Sequence, residues 1–495
     1  MTRIICKSRY RRSLATAVLG LCLATTSMPG AVAQEKSDEN LADRCAEAGA
    51  MKMRPYKGVF FDNDFSYLQN PCLDFSDTRD PLSRFTDRAK RLELWPGVML
   101  DLGGEYRIRY HNEQDHGLTR LAGLDNTFFL SRLRLYANLE LGNYLRLYAE
   151  GIDAAITGNE LPARGIEEDR SDILNLFFDL RHTVAGHALT FRAGRQELLF
   201  GGQRLISPLN WGNTRRTFDG FRLIDRFGDF NVSAFAVKPR IVFPTASNRA
   251  DESVEFMGIY GTFRGWAKNV VDLYGLRLDE SNGAAANFEF YTVGARVKGR
   301  YADFLYEVEG AYQEGEFGAL DQSAGMFTAG AGYDLGGMLP WKPTVWAYYD
   351  WASGDGNPTD GDRGTFAQHF PLAHAYLGYM DLVGRQNTQS ASLRVTVKPI
   401  DRLTVQLTGH NFRLDEARDA LYNAGGGAIR RDATGASGKD VGREIDLLAR
   451  VAILPRMGLA VGYSHFFAGD FVKATNPPGV DGDADFFYAA LTLKF

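Results

Sequence analysis

The chain has 495 residues, a formal net charge of −5, 53 glycines and 12% aromatic residues. Past the leader it holds no run of about 18 apolar residues, which excludes a later membrane-spanning helix. A mean hydropathy of −0.25 suits a soluble protein, but it suits a membrane β-barrel equally, because half of each strand then faces a wet interior.

Arg3, Lys7, Arg9, Arg11 and Arg12 precede the apolar run LATAVLGLCLATT, with no acid among them. Ala31-Val32-Ala33 follows, with small residues at the spacing of a cleavage site. Residues 1–33 therefore read as a secretory signal peptide cut before Gln34. Leu21 stands before Cys22 where a lipoprotein signal wants a small residue, which argues against acylation there. Cleavage removes five cations and no acid, so the mature charge is −5 − 5 = −10. Cys45 and Cys72 remain, a candidate disulfide in an oxidising compartment, although two cysteines alone set no framework. Neither has the neighbours of a metal site. Residues 34–97 do not alternate and read as a periplasmic or lumenal N-terminal segment. Whether they plug a pore is open at this point.

From residue 98 alternating segments recur, about eighteen of them, beginning with 98–110 and ending with 483–495. In SRLRLYANLEL, Leu133, Leu135, Ala137, Leu139 and Leu141 share one face, and Arg132, Arg134, Tyr136, Asn138 and Glu140 the other. This is period two, one face apolar and one charged. The connections alternate too. Tight turns at 142–143, 225–228, 399–402 and 455–456 are interleaved with long polar loops at 111–128, 155–171, 198–216, 353–386, 414–440 and 469–482. Short turns at one end and long loops at the other describe an all-β transmembrane antiparallel barrel. The stretch DADFFYAALTLKF, 483–495, places Phe487, Ala489, Leu491, Leu493 and Phe495 on one face. It is expected to pair with the first strand and close the barrel. A terminal aromatic also resembles the insertion signal of outer-membrane barrels.

Parity turns Arg107, Arg109, Arg132, Arg134, Arg146, Arg222, Arg296, Arg394, Arg450, Lys298 and Lys398 inward. Such cations in a lumen favour anions, and guanidinium forks match carboxylates. Glu105, Glu140, Glu150, Glu307, Glu309 and Asp446 point inward as well, so the same pattern also fits Arg–Glu ladders that only brace the wall.

Other features are bland by comparison. GDGNPTDGD, 354–362, lacks the spacing and terminal Glu of an EF-hand and reads as a solvated loop. His369 and His374 read as loop residues rather than ligands, and no metal or cofactor is expected. No G-x-S-x-G, H-E-x-x-H or phosphate loop occurs. Ser464 and His465 are neighbours on one strand, so they point to opposite faces and form no dyad.

The stretch FRAGRQELLFGGQRLISPLNWGNTRRTFDGFRL, 191–223, resembles the alginate export family at Gly194-Arg195-Gln196 and at Leu209-Asn210-Trp211. GREIDLLARVAILPRMGLAVGYSHFFAGDF and the closing aromatic strand resemble it too. The resemblance implies an eighteen-stranded monomeric barrel with an arginine-rich lumen for an anionic uronate polysaccharide, served by periplasmic scaffold proteins. Parity counted from Phe191 puts Arg195 on the lipid-facing phase. The chain is thus expected to be an outer-membrane channel of a Gram-negative cell, without catalysis and without nucleic acid. It would pass an alginate-like polyuronate or other anionic solutes. A general or sugar uptake porin is the alternative, and a barrel-rim lipase or deacylase the third reading.

Overall fold

The computed structural model describes residues 56–69, 80–115, 124–280, 287–478, 480 and 482–495. The leader, Cys45 and Cys72 lie outside the described residues. Eighteen long strands form the wall. They begin with β1 (Val98–Gln114), β2 (Asn126–Leu141), β3 (Leu145–Thr157), β4 (Asp169–Val184), β5 (His187–Gln196) and β6 (Phe218–Phe227). Next come β7 (Phe230–Ile241), β8 (Val254–Phe263), β9 (Val270–Glu280), β10 (Phe288–Tyr301), β11 (Phe304–Phe317) and β12 (Leu320–Asp334). The last six are β13 (Thr344–Ala352), β14 (Thr388–Ile400), β15 (Leu403–Leu414), β16 (Asp440–Leu454), β17 (Met457–Ala468) and β18 (Ala484–Lys494).

Each strand pairs antiparallel with the next, and β18 pairs back onto β1 from Glu105↔Lys494 to Gln114↔Asp485. Phe495 completes the seam: its N–H donates to the Gly104 carbonyl at 3.0 Å, and Gly104 N–H returns the bond at 2.7 Å. The closed ladder leaves no edge, as lipid requires. Alternation decides which face is which. On β2, Arg134 is 1% exposed and its neighbour Leu135 51%. On β4, Phe177 and Asp179 are buried while Leu176, Phe178 and Leu180 are exposed. A continuous outer apolar face around a buried polar lining is the signature of a barrel in lipid.

Several strands run past the alternating stretch. β1 continues to Gln114 and β11 to Phe317. Near the rim the outer face becomes polar, as where Asn112 Nδ2 donates to Thr127 Oγ1 at 2.8 Å, so the hydrophobic period fades while the backbone ladder goes on.

The loops correct the sequence reading. Two of the expected external loops fold into the lumen. Leu198, Leu205 and Ile206 pack with Phe218, Phe235 and Phe256. Phe366, Leu377, Leu382 and Val383 are fully buried. The two loops also bond to one another, through Ser207 N–H to the Phe370 carbonyl and Phe370 N–H to the Leu205 carbonyl, both 2.9 Å. The apolar side chains explain the infolding, since water would leave them exposed. Loop 414–440 contains the small hairpin Ala420–Tyr422 with Ala428–Arg431, and 469–482 contains the short helix Asp470–Thr475.

Before β1, the helix Pro81–Thr86 is capped by Asp80, which accepts from Ser83 N–H at 3.0 Å, with Pro81 in the first turn. The strand Leu92–Trp95 pairs with the start of β1.

Candidate functional site

The site is built on an arginine cluster and the loop tip that it grips. Arg107 and Arg109 stand two residues apart on β1, so both side chains face inward. Arg132 on β2 is directly opposite Arg107. Each finds a carbonyl of the infolded loop. Arg107 donates to Asn210 and Gly212 at 2.9 and 2.7 Å, Arg109 to Trp211 at 2.8 Å, and Arg132 to Gly212 at 3.0 Å. Asn213 Nδ2 fastens the same turn to the carbonyls of Ser131, Ala155 and Glu167. Arg215 pairs with Glu197 and with the Asn210 side chain.

Trp211 lies inside a column of rings. Arg109 sits 4.0 Å above its centre. The His374 ring stacks on Trp211 at 3.6 Å and 12°. Tyr379 stacks on His374 at 4.7 Å. The turn Leu209–Asn213 borders two cavities on this side of the lumen. The one toward the long loops, about 380 Å³, is lined by Arg109, Trp211, Arg216, His374, Tyr379 and Phe486. The one toward the short turns, about 350 Å³, is lined by Arg107, Arg132, Asn210, Thr492, Lys494 and Arg456.

The predicted inward cations separate into two groups by their partners. Arg132 pairs with Glu105 at 2.6 Å, Arg134 with Glu150 at 2.6 Å, and Arg146 with Asp179 at 3.6 Å. Arg296 pairs with Asp272 at 2.8 Å and Lys298 with Glu307 at 3.3 Å. These charges are answered within the wall. Arg107 and Arg109 are not: their described partners are carbonyls and a ring. Arg222 donates to Ser233 Oγ at 2.9 Å, and Arg394 to the Ala375 carbonyl at 3.0 Å. Arg450 makes no ion pair among the described residues. Four of these uncompensated guanidiniums, Arg107, Arg109, Arg394 and Arg450, belong to β1, β14 and β16, on the contiguous arc from β14 through β18 to β1. In the loop, Arg216 donates to the carbonyls of Ser207 and Pro371 and is pushed down to about 10 by burial.

Several functional-looking residues have other duties. Arg195 stays on the outer phase at the rim end of β5. There it braces the wall through Asp219 at 3.2 Å and the Ile173 carbonyl at 2.6 Å, and it does not line the lumen. Gly194 has φ 125° and faces Gly220, φ 152°, across the ladder. A Cβ on Gly194 would strike the Leu176 carbonyl. Gln196 is fully buried. His369 packs against Phe256 and Phe290, away from the ring column that holds His374. Ser464 donates to Asp446 at 2.6 Å, while His465 lies 2.8 Å from Asp485 on the other face. Among the described residues no group of His, Cys, Asp and Glu is placed to hold a metal ion.

Alternation could not reveal Arg204, which pairs with Glu307 and Glu309 at 2.6 and 2.9 Å, or Arg385, which pairs with Asp350 at 2.7 Å. Both come from infolded loops, which carry no period.

The sequence matches the alginate export family over residues 98–481. A search of curated proteins found no match. Among solved structures the barrel is similar to OccK3 (OpdO) of Pseudomonas aeruginosa, with TM-score 0.54 and 14% identity over 84% of this chain and 99% of that one. It is similar to the outer membrane protein OprD of the same organism, with TM-score 0.53 and 14% identity over 82% and 96%. OccK8 (OprE) gives 0.53 and 12% over 80% and 98%. At these identities the likeness is one of fold. With a family match over most of its length and a closed eighteen-stranded wall, the chain belongs to the alginate export family and is an integral β-barrel channel of the outer membrane.

Proposed function

We propose that the channel passes carboxylate-bearing solutes passively, along the arc from β14 to β1 and past the turn Leu209–Asn213. The observation that carries this reading is the set of guanidiniums without a carboxylate partner on that arc. A lumenal cation that no acid pairs with leaves a positive potential, whether buried like Arg109 or open to the lumen like Arg450, and a passing anion is the group that answers it. The inward cations paired with Glu or Asp, such as Arg134 and Arg296, contribute little to that potential. Family membership favours an alginate-like polyuronate as the solute. No covalent step is involved.

The chamber sizes favour a second reading, a channel for small organic anions. Cavities of about 380 and 350 Å³ bordered by a clamped turn suit a single ring on this side of the lumen better than a threaded chain, unless the turn moves.

Reversal potentials of the refolded protein in planar bilayers under a salt gradient test the shared claim. Anion selectivity is expected, with block by oligouronate and none by a neutral oligosaccharide of equal length. Cation selectivity would overturn the proposal. Entry of monomeric uronate into liposomes without block by the oligomer would favour the small-anion reading.

A further inference from the structure

We propose that residues 56–69 form a displaceable plug, docked on the lumenal wall in the resting channel and withdrawn from it in the conducting one. The seat is aromatic and cationic. Phe60 meets Tyr136 edge to face at 5.8 Å. Phe61 meets Phe177 in the same way at 5.2 Å. Arg134 lies 4.0 Å over the Phe60 ring and Arg192 4.4 Å over that of Phe61. Two backbone carbonyls accept from the wall as well: Phe61 from Arg146 at 2.6 Å and Gly58 from Arg215 at 3.2 Å. Val59, Phe60 and Phe61 are buried as deeply as the residues they touch.

Three features make this contact reversible. First, the segment is laid on the ladder rather than woven into it. It contributes only short 3-10 turns, Phe60–Asp62 and Ser66–Gln69, and none of its described residues is in a strand. The anchor lies after it, where Leu92–Trp95 pairs with β1 and Arg456 holds Thr86 and Asp87. Withdrawal therefore breaks no strand pairing.

Second, the seat remains satisfied when empty. Arg134 keeps Glu150, Arg192 keeps both oxygens of Asp179 at 2.7 and 3.0 Å, Arg215 keeps Glu197, and Arg146 keeps Asn138. None of these four guanidiniums is stranded by withdrawal, so the large penalty for an unpaired buried ion does not oppose release there.

Third, Asp62 of the plug attracts Arg222, whose wall partner is the Ser233 hydroxyl rather than a carboxylate. Asp62 and Asp64 outnumber Lys57 between residues 56 and 69. A carboxylate-bearing solute competes with Asp62 for Arg222, and salt weakens the attraction that keeps the segment down.

The test uses the refolded mature chain. Single-channel conductance is recorded with and without the pair Phe60→Ala and Phe61→Ala. In parallel, Val59→Cys, placed in a Cys45→Ser, Cys72→Ser background, reports burial of the plug through its labelling rate by a water-soluble maleimide. Losing two aromatic anchors at up to about tenfold each should shift the docked-to-free ratio by roughly 100-fold. Conductance then rises, and the introduced thiol labels faster by a similar factor. If the alanine pair fails to insert, Phe60→Leu with Phe61→Leu keeps the volume and carries the same comparison, with a shift of about tenfold. Unchanged conductance and unchanged labelling in a correctly inserted variant would make the segment permanent filling and end the proposal. Reversal potential is read separately, so a plug without anion selectivity, or selectivity without a plug, remains distinguishable.

Discussion

Arg109 grips Trp211 twice. Its guanidinium lies 4.0 Å over the indole, and its Nη1 donates to that residue's own carbonyl at 2.8 Å. The strand that closes the barrel against β18 thereby holds the tip of the loop that narrows it. On the other face of the indole, His374 brings in the second infolded loop. One side chain thus couples the wall and both loops. Trp211→Ala removes a cation–π contact worth about 0.5–2 kcal/mol and opens the turn that borders the two cavities. Single-channel conductance should rise, with folding yield little changed. A conductance equal to that of the parent would place the constriction elsewhere.

The division of the arginines into compensated and uncompensated groups gives opposite outcomes for the same substitution. Arg394→Glu and Arg450→Glu each place an acid where no carboxylate faces it, so the anion preference should fall or reverse while the barrel assembles normally. Arg134→Glu would set a third acid beside Glu150 and Glu197, which lie 2.6 and 3.7 Å from the guanidinium. Breaking a buried pair costs about 3–5 kcal/mol, so that variant should fold poorly rather than change selectivity. Reversal potential and heat-resistant mobility in gels separate the two results. Equal selectivity shifts at all three positions would refute the division.

Much of the wall could be read from the chain because a strand in lipid has one demand that repeats every second residue. Leu133, Leu135 and Leu139 against Arg132, Arg134 and Asn138 state it in full, and the structure has all eighteen strands close to the predicted spans. What period two cannot give is register. Glu105 pairs with Arg132 only because β1 and β2 align as they do, and nothing along either strand encodes that offset. The fate of each arginine was therefore hidden, although its inward direction was not. The infolded loops were hidden for a different reason. Phe200, Phe366 and Leu377 lie in stretches without period, so their burial depends on a lumen that exists only once the barrel closes. Arg195 shows the reverse: parity placed it outside, and an ion pair at the rim is what an outward arginine above lipid can make.

Loop docking should depend on pH through His369. Its Nε2 lies 2.8 Å from Thr292 Oγ1 and 3.3 Å from Gln313, among Phe256 and Phe290. None of these neighbours carries charge, and burial pushes the imidazole down to about 3. In a released loop it would titrate near its ordinary value of about 6.5. Between those values the released form holds a proton that the docked form lacks. Docking is therefore at full strength above about pH 6.5 and weakens by up to about tenfold for each pH unit below it. Acidification to about pH 4.5 should shift the docked-to-released ratio by roughly 100-fold, seen as faster proteolysis between residues 364 and 387. His369→Gln, which stays neutral, should remove the pH dependence. Its persistence in that variant would assign it to another group.

Asn213 is the staple by which the constricting loop can be tested without replacing any arginine. Its amide is fully buried and reaches the carbonyls of Ser131 at 2.9 Å, Ala155 at 3.2 Å and Glu167 at 2.9 Å, joining β2, β3 and the 158–168 loop to the turn. Its own N–H donates to the Ile166 carbonyl at 2.8 Å and would survive any substitution except proline. Asn213→Ala leaves these carbonyls short of a donor, at about 1–3 kcal/mol for buried acceptors without a partner. That weakens the loop's hold and removes the Arg107 contact with the Asn213 side-chain oxygen at 3.4 Å, while the guanidinium contacts from Arg107, Arg109 and Arg132 to the carbonyls of residues 210–212 persist. The open channel should flicker, and cleavage in 197–217 should quicken. Asn213→Asp should be worse than alanine, because one carboxylate oxygen then confronts three carbonyl oxygens and the long contact of the other with Arg107, 3.4 Å, does not offset this, and the gap should narrow at a pH low enough to protonate it. If alanine leaves both noise and cleavage unchanged, the arginines alone hold the turn, and the ranking of aspartate below alanine would then report only repulsion.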